Sequence, residues 1–187
     1  HIPVADEMFE TVFGLLYLHA RGRYDNAVHR HYAALGDFRR CGELLATWRM
    51  EAPSLVPWRI DAARSCLAVG MESEARRLLS EQLGLVRTRP SRVRGATYRA
   101  LAAMTGMPER ARLLRQAVDE SEASGDQVEL AHALADLSRV CHEQGDRQRA
   151  RALVRRAYHI ACRCGAEMLR RDLSVNAAEA DAAIDDD

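Results

Sequence analysis

Lysine is absent from this sequence: all 27 basic residues are arginine, and 27 acidic residues balance them to a formal net charge of zero. Proteins that bind nucleic acid on their own normally carry a basic excess, so we expect no direct nucleic-acid contact by this segment. The sequence also lacks a Gly-x4-Gly-Lys-Ser/Thr loop, which excludes a P-loop nucleotide site within these residues.

Aromatic residues and long apolar runs are scarce too. Aromatics make up 5% of the chain, while 48% of residues are hydrophobic, enough to bury a core of mainly aliphatic side chains. The longest uncharged run, 11–20, is too short to span a bilayer, and no secretory leader pattern is visible. The five cysteines have neither zinc-finger nor disulfide-framework spacing. We therefore expect a cytoplasmic protein with reduced thiols and no membrane segment.

Helical periodicity is what the sequence has in abundance. Leu130, Leu134, Leu137 and Cys141 recur at helical spacing, and a second apolar run follows the break at Gly145. This pattern predicts a helix, a tight turn and an antiparallel helix over 130–166. The two apolar stripes are too broad for one hairpin to bury, so the hairpin needs neighbours of the same kind.

The rest of the chain predicts such neighbours. No stretch of useful length alternates between apolar and polar residues, so we expect an all-α protein of eight or nine helices. One repeat domain is expected over 1–182, followed by a frayed acidic tail at 183–187. Gly22 is expected to end the first helix, and Pro53 and Pro57 to mark a loop. The predicted helices cover residues 5–21, 24–50 (one long or kinked helix), 58–70, 72–87, 92–105, 108–125, 130–144, 146–164 and about 166–182.

A short pattern marks the junction inside each predicted pair: glycine, four residues, alanine. It occurs as GRYDNA (22–27), GMESEA (70–75), GMPERA (106–111) and GDRQRA (145–150). Glycine would end the first helix in the left-handed region, and alanine would lie where the second helix crosses the first. Helix–turn–helix units at this spacing resemble tetratricopeptide repeats, whose nominal period is about 34 residues. The resemblance implies a right-handed superhelix of antiparallel helix pairs.

A narrower resemblance covers most of the chain. Residues 57–87 and 111–173 are similar to the helical-repeat region of large ATP-binding LuxR-type (MalT-like) transcriptional regulators. In that family the repeats stand between an N-terminal ATPase module and a C-terminal helix-turn-helix DNA-binding domain. The resemblance implies a non-enzymatic, signal-sensing interaction domain, with the ATPase and DNA-binding domains expected outside this segment.

Candidate binding residues follow from the tetratricopeptide pattern, in which the first helix of each pair lines the concave face. The hypothesis is a basic, histidine-bearing groove that binds a protein or peptide partner, a flanking domain of the same chain or an anionic effector. Arg64 and Arg139 would be its anchors. The alternative is that these side chains simply form solvated helix faces. The candidate positions are His19, Arg64, Arg99, His132, Arg139 and His142.

Other readings carry less support from the residues. His159, Cys162 and Cys164 do not supply the four ligands of a structural zinc site, so we expect packing there, with no metal or cofactor. Arg155-Arg156, like the other paired arginines, is interpreted as salt-bridged surface. No catalytic constellation stands out. A small-molecule sensor with an enclosed pocket between repeats is the alternative function, and homodimerisation through an exposed apolar helix is a further expectation.

Overall fold

Helices form all of the regular structure in the residues described by the computed structural model, which are 6–51, 53–86 and 91–182. Their side chains are described from residue 8 to residue 174. The all-α prediction is confirmed, whereas the superhelix stays a prediction and the tail at 183–187 lies outside the described residues. A short 3-10 helix (Asp6–Glu10) precedes helices α1 (Val12–Ala27), α2 (His31–Thr47), α3 (Trp58–Ala68), α4 (Glu72–Leu85), α5 (Arg92–Ala102), α6 (Glu109–Ser124), α7 (Gln127–Glu143), α8 (Arg147–Arg163) and α9 (Glu167–Ala182).

The chain divides into two compact units, with α1–α4 in the first and α5–α9 in the second. Within each unit consecutive helices pack together, and the first helices of neighbouring pairs also meet: α1 touches α3, and α5 touches α7. Leu15, Leu18 and Leu44 belong to the core of the first unit. Leu114 and Leu134 belong to that of the second. One repeat domain over 1–182 stays a prediction.

One turn geometry ends six of the helices. At the end of α7, Gly145 has a φ of 82° and its N–H donates to His142 O at 2.9 Å. The next N–H, of Asp146, donates to Cys141 O at 2.9 Å. This pair of bonds is the Schellman motif, which satisfies carbonyls that the helix end leaves unpaired. The residues with positive φ in these six turns are His29, Arg49, Gly70, Gly125, Gly145 and Gly165.

Side chains cap the start of the next helix at two of these turns. The Asp126 carboxylate accepts the N–H of Glu129 at 2.9 Å, and Asp146 accepts that of Arg149 at 3.0 Å. Each aspartate directly follows a left-handed glycine, so one helix stops and the next begins within two residues. Ser91, the N-cap of α5, accepts the N–H of Val93 through its hydroxyl oxygen at 3.2 Å. The left-handed glycine and the capping aspartate together produce a tight turn between the two helices.

The first hairpin differs from its prediction. Gly22 does not end a helix: it lies buried inside α1, where a Cβ would stand 2.8 Å from the Phe38 ring. The long helix expected over 24–50 is wrong, because the chain turns at 28–30. His29 adopts the left-handed conformation there, and Ala34, five residues later, is buried. The turn occurs without glycine, which is why the glycine–alanine pattern misplaced it.

The other three copies of the glycine–alanine pattern agree with the structure to different degrees. At 70–75 and 145–150, glycine is left-handed and Ala75 and Ala150 are buried, as predicted. At 106–111 the alanine is buried, but α5 ends at Ala102 and the glycine has no positive φ. In the first helix, the apolar residues Val12 and Leu16 are exposed.

The His29→Gly substitution is expected to raise the free energy of unfolding by about 0.5–1 kcal/mol, because the left-handed region penalises a Cβ by roughly 1–2 kcal/mol. Urea titration followed by circular dichroism measures the change. Gly70→Ala is the matched reverse change: no heavy atom lies within 4 Å of the added Cβ, so only backbone strain acts. We expect it to destabilise the protein by about 1 kcal/mol. Equal effects of the same sign would contradict this account of the turns.

Candidate partner-binding surfaces

The first charged cluster joins α1 to α3. Asp61 lies buried in the first turn of α3, where the helix N-terminus favours a negative charge. His19 Nε2 lies 2.9 Å from Asp61 Oδ2, and Arg64 Nη1 lies 3.2 Å from Asp61 Oδ1. The His19 ring also packs at a tilt on Phe38, with ring centroids 5.9 Å apart. Asp61 thus holds two of the predicted residues in fixed positions.

A second cluster joins α5 to α7 in the same way. Arg99 Nε donates to Asp136 Oδ2 at 2.7 Å, and its Nη1 donates to Glu129 Oε1 at 2.8 Å. Arg139, one turn beyond Asp136, pairs with the other oxygen of the same carboxylate. Burial by itself lowers the pKa of the Arg99 guanidinium, but Glu129 and Asp136 outweigh burial and raise that pKa. Arg99 therefore stays charged and ties the two helices together.

The two clusters occupy equivalent repeat positions. Asp61 and Asp136 precede the left-handed Gly70 and Gly145 by the same number of residues, and each is followed by an arginine three residues later. Each aspartate also receives a basic side chain from the first helix of the preceding pair. The predicted anchors are therefore brought to matching places, one in each unit. Their charges are compensated by carboxylates, a pairing that the predicted basic groove did not include.

The two remaining candidates also lie on α7. His132 is half-buried and, by helical spacing, shares a face with Glu129 and Asp136. His142 is exposed in the last turn, one turn beyond Arg139. Helix α7 thus carries three of the six predicted positions along one side. Among these three, Arg139 forms an ion pair with Asp136 of the second cluster.

A basic groove in the second unit was not predicted. Helix α8 carries six arginines and no acidic residue. Arg155, His159 and Arg163, spaced four apart, are all exposed on one face, and Arg156 lies beside them. They line an open groove of about 660 Å³ together with Glu122 of α6, Gln127 and Leu130 of α7, and Ile160. Arg156 pairs with Glu122 across this groove.

The positive charge of α8 is present in the sequence, but the net charge of the whole chain does not reveal it. No aspartate or glutamate occurs between Asp146 and Glu167, whereas the chain as a whole is neutral. The interpretation of Arg155-Arg156 as salt-bridged surface holds for Arg156. It fails for Arg155, which has no carboxylate partner among the side chains described, and Arg163 on the same face has none there either. A charge count helix by helix would have found this surface.

The cysteines divide into two classes. Cys41, Cys66 and Cys141 are buried, and Cys162 and Cys164 are exposed. Burial, aided by the nearby Asp37 carboxylate, raises the pKa of the Cys41 thiol to about 12. Burial also raises the pKa of Cys66 and Cys141. Within the described ranges, no three His, Cys, Asp or Glu side chains converge as a metal site. The three buried thiols pack in the core, and their raised pKa disfavours the thiolate, the reactive form of cysteine.

Comparison with known proteins adds no assignment. No protein-family model matches the chain, and no curated protein shows significant similarity to it. Among the helices of the described residues, none has both the length and the apolarity needed to cross a bilayer.

Proposed function

We propose that this chain is a non-enzymatic helical-repeat interaction module, the signal-receiving part of a LuxR-type transcriptional regulator. In this proposal a partner segment binds the faces formed by the first helices of its pairs. The recurrence of one aspartate–arginine arrangement at the same repeat position in both units is the observation that supports it. Helical-repeat arrays use the extended surface that their repeats form to bind partners, and equivalent repeat positions present side chains along it.

Arg64 and Arg139 are the outer members of the two clusters. Their side chains are 41% and 60% exposed, so donors remain for a ligand while an aspartate holds each guanidinium in place. A held arginine loses less conformational entropy when it binds a carboxylate in two-pronged geometry. His19 and Arg99 lie deeper and hold the aspartates. We assign them a positioning role, with contact to the partner made by the outer arginines.

The alternative function, a small-molecule sensor, would require an enclosed apolar cavity between repeats. The groove described in the second unit is open instead, and four of its lining side chains are basic. An open, charged surface suits a segment of protein better than a metabolite. This observation favours the interaction module over the enclosed sensor.

The test of this function uses the complete reading frame that contains the chain and the domains that it encodes. We expect an ATPase module before this segment and a helix-turn-helix domain after it. Purified, these domains should bind the chain, and the Arg64→Ala/Arg139→Ala variant should bind them about tenfold more weakly or worse, a loss of ~1.4 kcal/mol or more. Isothermal titration calorimetry gives the dissociation constants.

The matched control is Arg76→Ala/Arg115→Ala. It removes the same charge from exposed positions on the second helices, one in each unit, and binding should change less than twofold. A reading frame without the two flanking domains would overturn the assignment to a regulator. Equal affinities of the wild-type chain and the Arg64→Ala/Arg139→Ala variant would overturn the role of the first helices.

A further inference from the structure

We propose that the groove between α6 and α8 is a docking site for an acidic segment of another protein. Arg155, His159 and Arg163 would bind its carboxylates. Its three basic side chains all belong to α8, a second helix, and none of them is among the first-helix candidates considered above. The proposal therefore holds or fails independently of the assignment to a regulator.

The groove exists because the second helices do not close on each other. Helix α5 packs against α7, and α7 packs against both α6 and α8, whereas α6 and α8 make at most a marginal contact. The space between them is floored by Leu130 of α7 and edged by Ile160 of α8. An ion pair between Arg156 and Glu122 bridges it at one point. The rest of the space is open to a ligand.

Charge makes this groove attractive to an anion. Several exposed arginines on other helices pair with a glutamate three residues away, as Arg77 does with Glu74 and Arg112 with Glu109. Helix α8 has no acidic residue, so its arginines have no such partner along the helix. One glutamate in the lining faces three arginines and a histidine. The uncompensated positive charge is concentrated on one exposed face.

Geometry selects an acidic peptide as the occupant. Residues four apart on a helix rise by about 6 Å, so the three basic side chains form a row with that spacing. Alternate side chains of an extended segment are about 6.6 Å apart and leave on the same face. Glutamates at every second position would therefore meet Arg155, His159 and Arg163 in turn.

A nucleic acid fits these observations less well. The row spans about 12 Å, enough for two or three phosphates, while duplex binders commonly neutralise six or more. Glu122 also stands in the groove wall, where a continuous phosphate backbone would pass. Separate carboxylates can avoid it. The formal net charge of zero also argues against nucleic-acid binding by this chain.

The experiment measures binding by fluorescence anisotropy to the full chain. The probe is a labelled nine-residue peptide with glutamate at alternate positions, and the reference peptide has glutamine in their place. We expect the glutamate peptide to bind at least about tenfold more tightly than the glutamine peptide. Arg155→Ala/Arg163→Ala should weaken its binding by about tenfold or more, while Arg39→Ala/Arg76→Ala, at exposed positions of the first unit, should leave it within about twofold.

A charge-reversed variant keeps the test decisive if alanine variants bind poorly for other reasons. Arg155→Glu/Arg163→Glu should lose the glutamate peptide and gain a peptide with lysine at the same positions. Circular dichroism checks that its helix content is unchanged. Equal binding of the glutamate and glutamine peptides would overturn the proposal, and so would full affinity in the Arg155→Ala/Arg163→Ala variant. Tighter binding of a labelled DNA duplex through the same arginines would replace the peptide with nucleic acid as occupant.

Discussion

Replacing Phe38 by alanine should lower the free energy of unfolding of the first unit by about 3–5 kcal/mol, the usual cost of emptying a buried phenylalanine site. Phe38 is fully buried between α1 and α2, and its ring lies against Gly22. Glycine has no side chain that could move into the cavity, so we expect little collapse. His19 would also lose the ring on which it packs. Urea-induced unfolding followed by circular dichroism measures the loss.

Phe13→Ala is the control for this change. The same ring is removed, but Phe13 is 78% exposed on α1, so stability should change by no more than about 0.5 kcal/mol. Phe38→Leu should fall between the two, near 1 kcal/mol, since most of the buried volume is kept. A small effect of Phe38→Ala, similar to that of Phe13→Ala, would show that α1 and α2 do not pack through this ring.

The Arg99→Ala variant should lose about 2–4 kcal/mol, because Glu129 and Asp136 would keep their negative charges in a largely buried site without this cation. The variant would also lose the hydrogen bonds by which Arg99 joins α5 to α7. Denaturant titration of the variant and the wild-type protein gives the difference. Arg112→Ala is the comparison: Arg112 is exposed and pairs within its own helix, so we expect little change in stability.

Repeating Arg99→Ala in a variant without the two carboxylates distinguishes the contribution of the ion pairs to stability from that of packing. When Glu129→Gln and Asp136→Asn are already present, no carboxylates remain at these two positions to be stranded. We then expect Arg99→Ala to cost only about 1 kcal/mol, the loss of the packed side-chain stem and its hydrogen bonds. If the cost is the same in both backgrounds, the ion pairs are not what makes Arg99 important.

Local features of the sequence predicted much of the fold. The hairpin of α7 and α8 follows from the spacing of Leu130, Leu134, Leu137 and Cys141, all of which are buried, and from the turn at Gly145. These signals work because helical periodicity and capping depend on residues only a few positions apart. The turn of the first hairpin was predicted at the wrong place because the prediction relied on a local signal, a glycine. His29 takes the place of the glycine there, and nothing in the neighbouring sequence marks it.

The binding surfaces depended on contacts that no local pattern contains. Arg99 is 30 residues from Glu129 and 37 from Asp136 along the chain, so their pairing required knowing that α5 and α7 pack together. The role of the predicted first-helix positions stays a prediction, and their carboxylate partners could not be foreseen from the sequence. The groove beside α8 likewise exists only because α7 separates α6 from α8.

By itself, the amino-acid sequence determined that this protein is built of helical hairpins, since apolar periodicity and turn chemistry act within a few residues. The tertiary structure alone decided which charged side chains form ion pairs and which stay exposed without one among the described residues. That decision rests on the rotation and separation of helices distant in the chain, through which Asp61 and Asp136 each receive two basic side chains while Arg155 and Arg163 receive no acidic one among the described residues.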